Sequence, residues 1–267
     1  KFFCYQTEKT DGIGASADKP FEVEFKNVSF SYPNSSFALR DISFKISAGE
    51  RVAIVGENGA GKSTIVKLLL RLHDVQSGEI LINGVNINDY NLFELRNAIG
   101  VAFQNTNIYA FSMDENIGLY DNSTEKAIAE AKKAFGLDLI VAKNGASNDA
   151  TLTREFDDNG IVLSGGEAQK VAIARTTTKK FSLLMLDEPS SALDPIAEYN
   201  LNRSLFKRSK ETTTIMIAHR LSSVRNMDKI LVINNGELME SGTHDELMRV
   251  QGLYSEMFLK QAENYQI

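Results

Sequence analysis

The sequence predicts an α/β fold with a mostly parallel sheet, and two observations support that prediction. Short apolar segments typical of strands alternate along the chain with segments of helical composition. One strand candidate, RVAIVG at residues 51–56, leads through a glycine-rich loop into the apolar helix candidate STIVKLLLRL. Parallel neighbours need such crossover connections, because a tight hairpin joins only antiparallel strands.

The other elements are assigned in chain order. Residues 1–20 are polar and interrupted by glycine, serine and proline, so they are predicted to form a linker. Residues 21–50 alternate apolar and polar positions, which indicates half-buried strands. Further strands are predicted at 79–84, 98–103, 182–188, 212–219 and 229–238, and helices at 124–143, after the glycine pair at 165–166, and over 244–250 and 253–265.

Composition narrows the class of protein. The chain has 267 residues, 43% of them hydrophobic, which is enough for a substantial core in one large domain or two small ones. The net charge of -6 argues against a free-standing nucleic-acid binder, and the single cysteine, Cys4, excludes an internal disulfide framework. The sequence contains no signal peptide and no apolar run of the ~18 residues that span a bilayer. Because it begins at Lys1 rather than Met, we expect a piece of a longer protein.

The glycine-rich loop GENGAGKS, Gly56–Ser63, has the spacing of a phosphate-binding loop between a strand and a helix. Its glycines allow backbone N–H groups to surround a phosphate without Cβ clashes, and the helix N-terminus adds roughly +0.5 charge. We expect Lys62 to reach the terminal phosphates of a nucleotide and the Ser63 hydroxyl to bind Mg²⁺.

A second candidate element is the apolar strand LLMLDE, which ends in Asp187 and Glu188. Ligands of open α/β sheets bind at the carboxyl ends of the strands, so these carboxylates are expected beside the phosphates. Asp187 is predicted to hold Mg²⁺ through water. Glu188 lies one residue further, points in a different direction and is predicted to polarise an attacking water.

Over about residues 21–260 the chain resembles the nucleotide-binding domain of ATP-binding cassette (ABC) transporters. The resemblance rests on several motifs in the order of that family. They are GENGAGKST as its P-loop, Gln104 in VAFQN as its Q-loop, LSGGE at Leu163–Glu167 as its signature, LLMLDE as its second ATPase motif, SALD at Ser191–Asp194 as its D-loop, His219 in IAHR as its switch histidine, and Tyr32 in SFSYP as the aromatic residue that stacks on adenine.

The resemblance implies the domain organisation. It implies a P-loop NTPase (RecA-like) core with a mostly parallel sheet, an antiparallel β subdomain and an α-helical signature subdomain. The ABC ATPase domain is expected over residues 21–267, with the helical subdomain inserted at about 106–176. Residues 1–20 are expected to be the linker from a membrane domain that is absent here.

The resemblance also implies roles for single residues, with ATP and Mg²⁺ as the cofactors. Glu188 is expected to be the general base or water-orienting residue, His219 to contact the γ-phosphate, and Gln104 to sense Mg²⁺ and the water. The expected metal ligands are Ser63, Gln104 and Asp187. The expected nucleotide-binding residues are Tyr32, Gly56, Glu57, Asn58, Gly59, Ala60, Gly61, Lys62, Ser63 and Thr64.

In that family two domains meet head to tail, and the signature of one covers the ATP held by the other. The resemblance therefore implies that the signature contacts the nucleotide of a partner domain, and that Asp194 lies at the interface between the two domains. The signature residues are Leu163, Ser164, Gly165, Gly166 and Glu167. Many family members have Gln in place of Glu167. Because a carboxylate is unfavourable close to a phosphate, we expect the side chain of Glu167 to point away from it.

The segments NTNIYAFSMDENI and AHRLSSVRNMDKILVINNGELMESGTHDEL are similar to the exporter branch, in which the nucleotide domain usually follows a six-helix membrane domain. The expected function is therefore to power export at the cytoplasmic face of the membrane. The expected partners are a second ABC domain, in a homo- or heterodimer, and a transmembrane domain, without nucleic acid. Ile108, Tyr109 and Phe111 form either the groove for that domain or local core.

Two alternatives are the ATPase subunit of an ABC importer and a soluble ABC ATPase without a transport role. An importer subunit is expected to lack the exporter-like segments. A chromosome-maintenance or DNA-repair ATPase needs a long coiled coil between its P-loop and its signature, and the interval from Lys62 to Ser164 is too short to contain one.

Overall fold

The first part of the chain folds into an antiparallel sheet. The computed structural model of the protein describes residues 12–33, 37–104, 106–120, 123–145, 147, 149–189, 193, 196, 198–199, 201 and 211–263. Strand β1 (Val23–Ser31) pairs with β2 (Phe37–Ile46) on one side and with β4 (Ser77–Ile82) on the other, and β5 (Val85–Asn86) extends the sheet beyond β4. Buried positions recur along β1, so this sheet turns one face to the core.

The central sheet has six strands in the order β10-β9-β3-β8-β7-β6. All neighbouring pairs are parallel except β9 and β10, which confirms the predicted mostly parallel sheet. The strands are β3 (Arg51–Val55), β6 (Ile99–Ala102), β7 (Leu183–Asp187), β8 (Thr213–Ile217), β9 (Lys229–Asn234) and β10 (Glu237–Gly242).

Both faces of the central sheet are buried, and successive residues of one strand enter different cores. Leu183 and Met185 of β7 pack in the core that the sheet shares with the antiparallel sheet and the first helix, α1 (Lys62–Leu69). Leu184 and Leu186 pack in a second core, formed with helices on the other face. This explains why the β7 segment is a continuous apolar run rather than an alternating one.

The helices lie between the strands and at the C-terminal end. They are α2 (Leu92–Ala98), α3 (Met113–Ile117), α4 (Glu125–Phe135), α5 (Asp138–Lys143), α6 (Gly165–Thr177), α7 (His244–Val250) and α8 (Leu253–Glu263), and short 3-10 helices occupy Ile87–Asp89 and Leu221–Val224. Residues 124–143 are helical as predicted, but they form two helices, α4 and α5. Gly136 adopts φ 66° and ends α4, because a left-handed residue closes a helix and glycine adopts that conformation without a Cβ clash.

The strand predicted over 229–238 begins at Lys229 as expected, but it ends at Asn234, and the segment folds into the hairpin β9–β10. Asn235 and Gly236 have φ values of 48° and 79°, and Asn234 pairs with Glu237 across the turn. Two successive residues with positive φ match the twist of an antiparallel hairpin, and Asn-Gly is the sequence that favours them.

Part of the predicted linker lies against the domain. Ile13 forms a parallel bridge with Tyr90, and the Ser182 hydroxyl donates a hydrogen bond of 2.9 Å to the backbone oxygen of Ser16. The backbone N–H of Phe21 donates to the oxygen of Ser182 at 3.0 Å. Residues 13–21 therefore connect the antiparallel sheet to the start of β7 in the central sheet.

Candidate active site

The glycine-rich loop leaves β3 and enters α1, and two of its glycines are required by the space around them. Gly56 has φ 150°, and a Cβ there would collide with the backbone oxygen of Ile233. Gly61, the N-cap of α1, has φ 102°, and a Cβ there would collide with the backbone oxygen of Ala38. Because Gly61 brings no side chain to cap α1, the N-terminus of the helix is open to an anion.

The side chain of Lys62 folds back into this loop. Its ammonium donates hydrogen bonds of 2.9 Å to the backbone oxygen of Gly56 and 2.8 Å to that of Glu57. The residue is 6% exposed, and burial lowers the pKa of its ammonium. The Lys62 ammonium is therefore held against the first residues of the glycine-rich loop.

Asp187, the last residue of β7, is a buried carboxyl facing the start of α1. Its side chain accepts a hydrogen bond from Ser63, but its Oδ1 is buried and has no hydrogen-bond partner among the residues that the structure describes. Burial raises the pKa of Asp187, whereas the Ser63 hydrogen bond opposes that rise. A buried oxygen without a donor, next to a serine hydroxyl, is the arrangement expected for a site that binds a hard cation.

Three polar side chains meet just beyond the carboxyl ends of neighbouring strands. Nε2 of Gln104 donates to Oε2 of Glu188 at 2.9 Å, and Nε2 of His219 lies 2.6 Å from Oε1 of Glu188. These residues follow β6, β7 and β8, which are adjacent in the sheet. Glu188 has φ 53° and its backbone N–H donates to the oxygen of Ile217 at 2.9 Å, so its carboxylate leaves the strand in a fixed direction.

A cavity of about 390 Å³ joins the loop to these groups. It is within the range of ligand pockets. Its lining includes Tyr32, Asn58, Gly59, Gly61, Lys62, Ser63, Thr64, Glu188 and His219. Gln104 lines a second, adjoining cavity that also reaches Glu188 and His219.

Tyr32 lines the first of these cavities, next to the glycine-rich loop. Its hydroxyl lies 3.3 Å from the Thr64 hydroxyl and accepts a hydrogen bond of 3.3 Å from the Lys67 ammonium. Its ring packs edge-on against Phe30 and His73. These contacts fix the plane of an aromatic ring beside the first turn of α1.

The signature segment lies elsewhere: none of its five residues, Leu163–Glu167, lines either cavity. Ser164 is the N-cap of α6, and the carboxylate of Glu167 accepts hydrogen bonds of 2.8 Å from both the backbone N–H and the hydroxyl of Ser164. The backbone N–H of Ser164 lowers the pKa of Glu167, which keeps it ionised. The Glu167 carboxylate therefore caps the N-terminus of α6 in a capping box with Ser164.

Sequence reasoning missed two glutamines that contact these loops. The side chain of Gln169, on α6, donates 2.8 Å to the backbone oxygen of Glu188. The side chain of Gln261, on α8, donates 2.7 Å to the backbone oxygen of His219. The signal available in advance was that Gln169 shares a helix face with the apolar residues Ala172 and Ile173, three and four positions later. Asp194 and Ser191 lie outside the described residues.

The family model described as ABC transporter matches residues 39–191 of the chain. The match begins in β2 and ends just beyond Glu188. It therefore includes the glycine-rich loop, Gln104, the signature and β7.

Two similar proteins are named ATP-dependent lipid A-core flippases. The one from Haemophilus influenzae is 40% identical over 260 residues, which is 94% of this chain and 43% of that protein. The one from Escherichia coli strain K12 is 37% identical over 256 residues, again 94% of this chain and 43% of that protein. The chain thus spans less than half the length of these relatives.

A similar solved structure is titled as a bacterial Atm1-family ABC exporter with ATP bound. The TM-score is 0.86 at 37% identity, over 96% of this chain and 44% of that one. Within the described residues, no helix combines the length and apolar character needed to cross a membrane.

Proposed function

The chain belongs to the ABC transporter family, and we propose that it binds and hydrolyses ATP to drive export by a membrane transporter. One observation carries the proposal: Lys62, Glu188 and His219 converge on a single cavity. A phosphate-binding loop faced by a carboxylate and an imidazole supplies the groups that the transfer of a phosphoryl group to water requires.

The nucleotide phosphates are expected in the loop between β3 and α1. The Lys62 ammonium donates to the backbone oxygens of Gly56 and Glu57, and both bonds are easily exchanged for stronger bonds to phosphate oxygens. The N-terminus of α1 adds partial positive charge at the same place. The adenine is expected against Tyr32, at the side of the cavity where Thr64 and Lys67 hold the tyrosine hydroxyl.

Mg²⁺ is expected at Ser63 and Asp187, with Gln104 completing the set from the neighbouring strand. The fit rests on Asp187, whose Oδ1 is buried without a hydrogen-bond partner among the described residues. Carboxylate, hydroxyl and amide oxygens are the ligands that Mg²⁺ prefers. When bound, Mg²⁺ neutralises part of the phosphate charge. A cation beside Asp187 also favours the ionised carboxylate, which burial alone disfavours.

Glu188 is proposed to orient the attacking water and to accept its proton. The water oxygen forms a bond to the γ-phosphorus, the bond from that phosphorus to the bridging oxygen breaks, and ADP leaves. Both oxygens of Glu188 are bonded in this structure, to Gln104 and His219. Binding of the γ-phosphate is therefore expected to draw these two side chains from the carboxylate and free it for the water.

The signature is proposed to bind the γ-phosphate of a partner domain. Apart from its chain neighbours and its own helix, a Cβ added at Gly165 would meet no atom of the described residues within 4 Å, so packing among these residues does not require a glycine there. A partner that approaches the helix closely explains it. In that complex the phosphate and the Glu167 carboxylate compete for the same Ser164 hydroxyl.

The membrane domain is proposed to dock beside β6 and α6, which would hold this chain at the cytoplasmic face. Tyr109 and Phe111 are 44% and 49% exposed, and a cavity of about 340 Å³ opens next to Tyr109. Ile108 instead packs with the core around the helices. An exposed aromatic pair next to a cavity is typical of a protein interface rather than of a free surface. Because the relatives named above are exporters and flippases, export is favoured over the importer alternative.

The proposal is tested by phosphate release and by mass in solution. The wild-type protein is expected to release phosphate from Mg-ATP, and Lys62→Ala is expected to release none above background. Glu188→Gln is expected to trap ATP and to double its mass in light scattering when Mg-ATP is added. The double variant with Lys62→Ala is the matched control and is expected to stay monomeric. Phosphate release by wild type that does not exceed that of Lys62→Ala would overturn the proposal.

A further inference from the structure

Helix α8 contacts the loop that carries His219 through the side chain of Gln261. Nε2 of Gln261 donates to the backbone oxygen of His219 at 2.7 Å, and Oε1 of Gln261 accepts from the backbone N–H of Leu221 at 2.9 Å. The amide thus uses its donor and its acceptor on one three-residue segment, 40 and 42 positions away in sequence. We propose that Gln261 is a positioning residue that fixes this segment so that His219 reaches Glu188 and the γ-phosphate. This inference rests on the proposed function.

The segment needs such a support because the imidazole has few other restraints. The side chain of His219 is 38% exposed, so packing alone holds it weakly. The backbone enters from β8 through a hydrogen bond of 3.2 Å from the Ala218 N–H to the oxygen of Ile54. It leaves into the 3-10 helix that begins at Leu221. Gln261 binds the backbone at His219 and at Leu221, and so fixes the exit side of the residue that carries the imidazole.

Gln261 can serve as a support because α8 is itself firmly attached. The carboxylate of Glu240 accepts from the backbone N–H of Leu253 at 2.5 Å and from that of Tyr254 at 3.1 Å, at the N-terminus of the helix. Tyr254 is 0% exposed, and its hydroxyl lies 2.8 Å from Nδ1 of His244. The helix is therefore anchored about two turns before Gln261, independently of the amide.

If Gln261 only stabilises the fold, its variants lower the stability of the protein. If Gln261 positions His219, its variants lower the rate of hydrolysis. Alanine favours helix more than glutamine does, so Gln261→Ala leaves α8 intact while it frees the His219 segment. Gln261→Glu retains an acceptor for the Leu221 N–H but sets an oxygen against the His219 oxygen, so it restores only half of the contact. If the contact positions His219, both variants lower the rate of hydrolysis and leave the binding of ATP unchanged.

The test compares wild type, Gln261→Ala and Gln261→Glu with Glu263→Ala, an exposed position on the same helix, as the matched control. We expect kcat for ATP hydrolysis by the full chain to fall about 10- to 100-fold in the Gln261 variants, because small misplacements of a reacting group cost that much, with KM for ATP unchanged. The chain contains three histidines, so the imidazole NMR signals can be resolved and report on the position of each ring. Those of His219 are expected to shift and broaden, while those of His73 and His244 stay in place.

Each outcome separates the inference from the proposed function. If wild type releases no phosphate, the proposed function fails, and the His219 signals still test the contact. If wild type is active, the inference is overturned by a wild-type kcat in Gln261→Ala, by an equal loss in Glu263→Ala, or by His219 signals that do not move. A rise in KM together with a lower midpoint of unfolding would make Gln261 a structural residue only.

Discussion

His219 and Glu188 lie in direct contact, with 2.6 Å between Nε2 of the imidazole and Oε1 of the carboxylate. The contact forms because each residue follows one of two parallel strands, β8 and β7, that are neighbours in the sheet. Gln104, which follows β6 on the other side of β7, holds the second carboxylate oxygen. The register of three adjacent strands thus brings together residues that are separated by up to 115 positions in the numbering.

Glu188→Gln is expected to lower ATP turnover by about 10²- to 10⁴-fold, the usual contribution of a positioned base. The amide is isosteric and still bonds to its neighbours, so ATP binding is expected to persist. Phosphate release and equilibrium binding of ATP measure the two quantities separately. Glu211→Gln, an exposed carboxylate paired with Lys180, is the control and is expected to turn over like wild type. Near-normal phosphate release by Glu188→Gln would remove Glu188 from the mechanism.

Asp187→Asn is expected to stabilise the nucleotide-free protein at neutral pH while it abolishes hydrolysis. Burial raises the pKa of Asp187 above its ordinary value of 3.8, so the ionised form is disfavoured more in the folded state than in the unfolded state. Wild type therefore loses stability relative to the variant as pH rises from about 4 through the folded-state pKa. Urea unfolding at pH 4, 5.5 and 7 measures that difference.

Whether Asp187→Asn raises or lowers the free energy of unfolding at pH 7 decides between the two interpretations. A variant less stable than wild type at pH 7 would show that the carboxylate is satisfied within the nucleotide-free chain and would argue against a cation site. Addition of Mg-ATP is expected to reverse the order, because only wild type binds the cation that stabilises the ionised form.

Gly165→Ala is expected to stabilise the fold and, at the same time, to lower the rate of ATP hydrolysis. The added methyl group meets open space within the chain, and alanine in the first turn of α6 stabilises a helix by about 0.5–1 kcal/mol relative to glycine. Phosphate release is nevertheless expected to fall at least about tenfold, because the methyl group would hold a partner's phosphate away from the helix N-terminus. Thr177→Ala at the other end of α6 is the control. Full activity in Gly165→Ala would leave the glycine unexplained.

Tyr32→Ala is expected to raise the Kd for ATP about tenfold or more, since stacking of a base on an aromatic ring contributes roughly 1–3 kcal/mol. Tyr32→Phe keeps the ring and loses only the hydroxyl contacts with Thr64 and Lys67, so it is expected to bind ATP nearly as wild type does. Inorganic tripolyphosphate has no base to stack, and its affinity is expected to be equal in all three proteins. An effect of Tyr32→Ala on tripolyphosphate would mean that the ring supports the phosphate loop instead.

Much of the fold could be predicted because its signals are local. The apolar strand that ends in Gly56, the glycine spacing before Lys62 and the apolar run that ends at Asp187 each lie within a few residues of one another. The two points at which the structure divides a predicted segment, at Gly136 and at Asn235, are also local. Each is a residue with positive φ, inside a segment whose composition otherwise suited one continuous element.

The sequence by itself determined which reactive groups this protein has, namely a glycine-rich loop with a lysine, two adjacent carboxylates and an imidazole, because residue types and short spacings carry that information. Only the tertiary structure decided which distant side chains hold the backbone at the residues that carry these groups. Gln169 reaches the backbone of Glu188, and Gln261 reaches that of His219, from helices that no short-range pattern connects to the site. Every residue type has a backbone oxygen, so the residue that accepts such a hydrogen bond leaves no mark in the sequence. Whether a distant side chain reaches that oxygen depends on how the helices pack on the sheet.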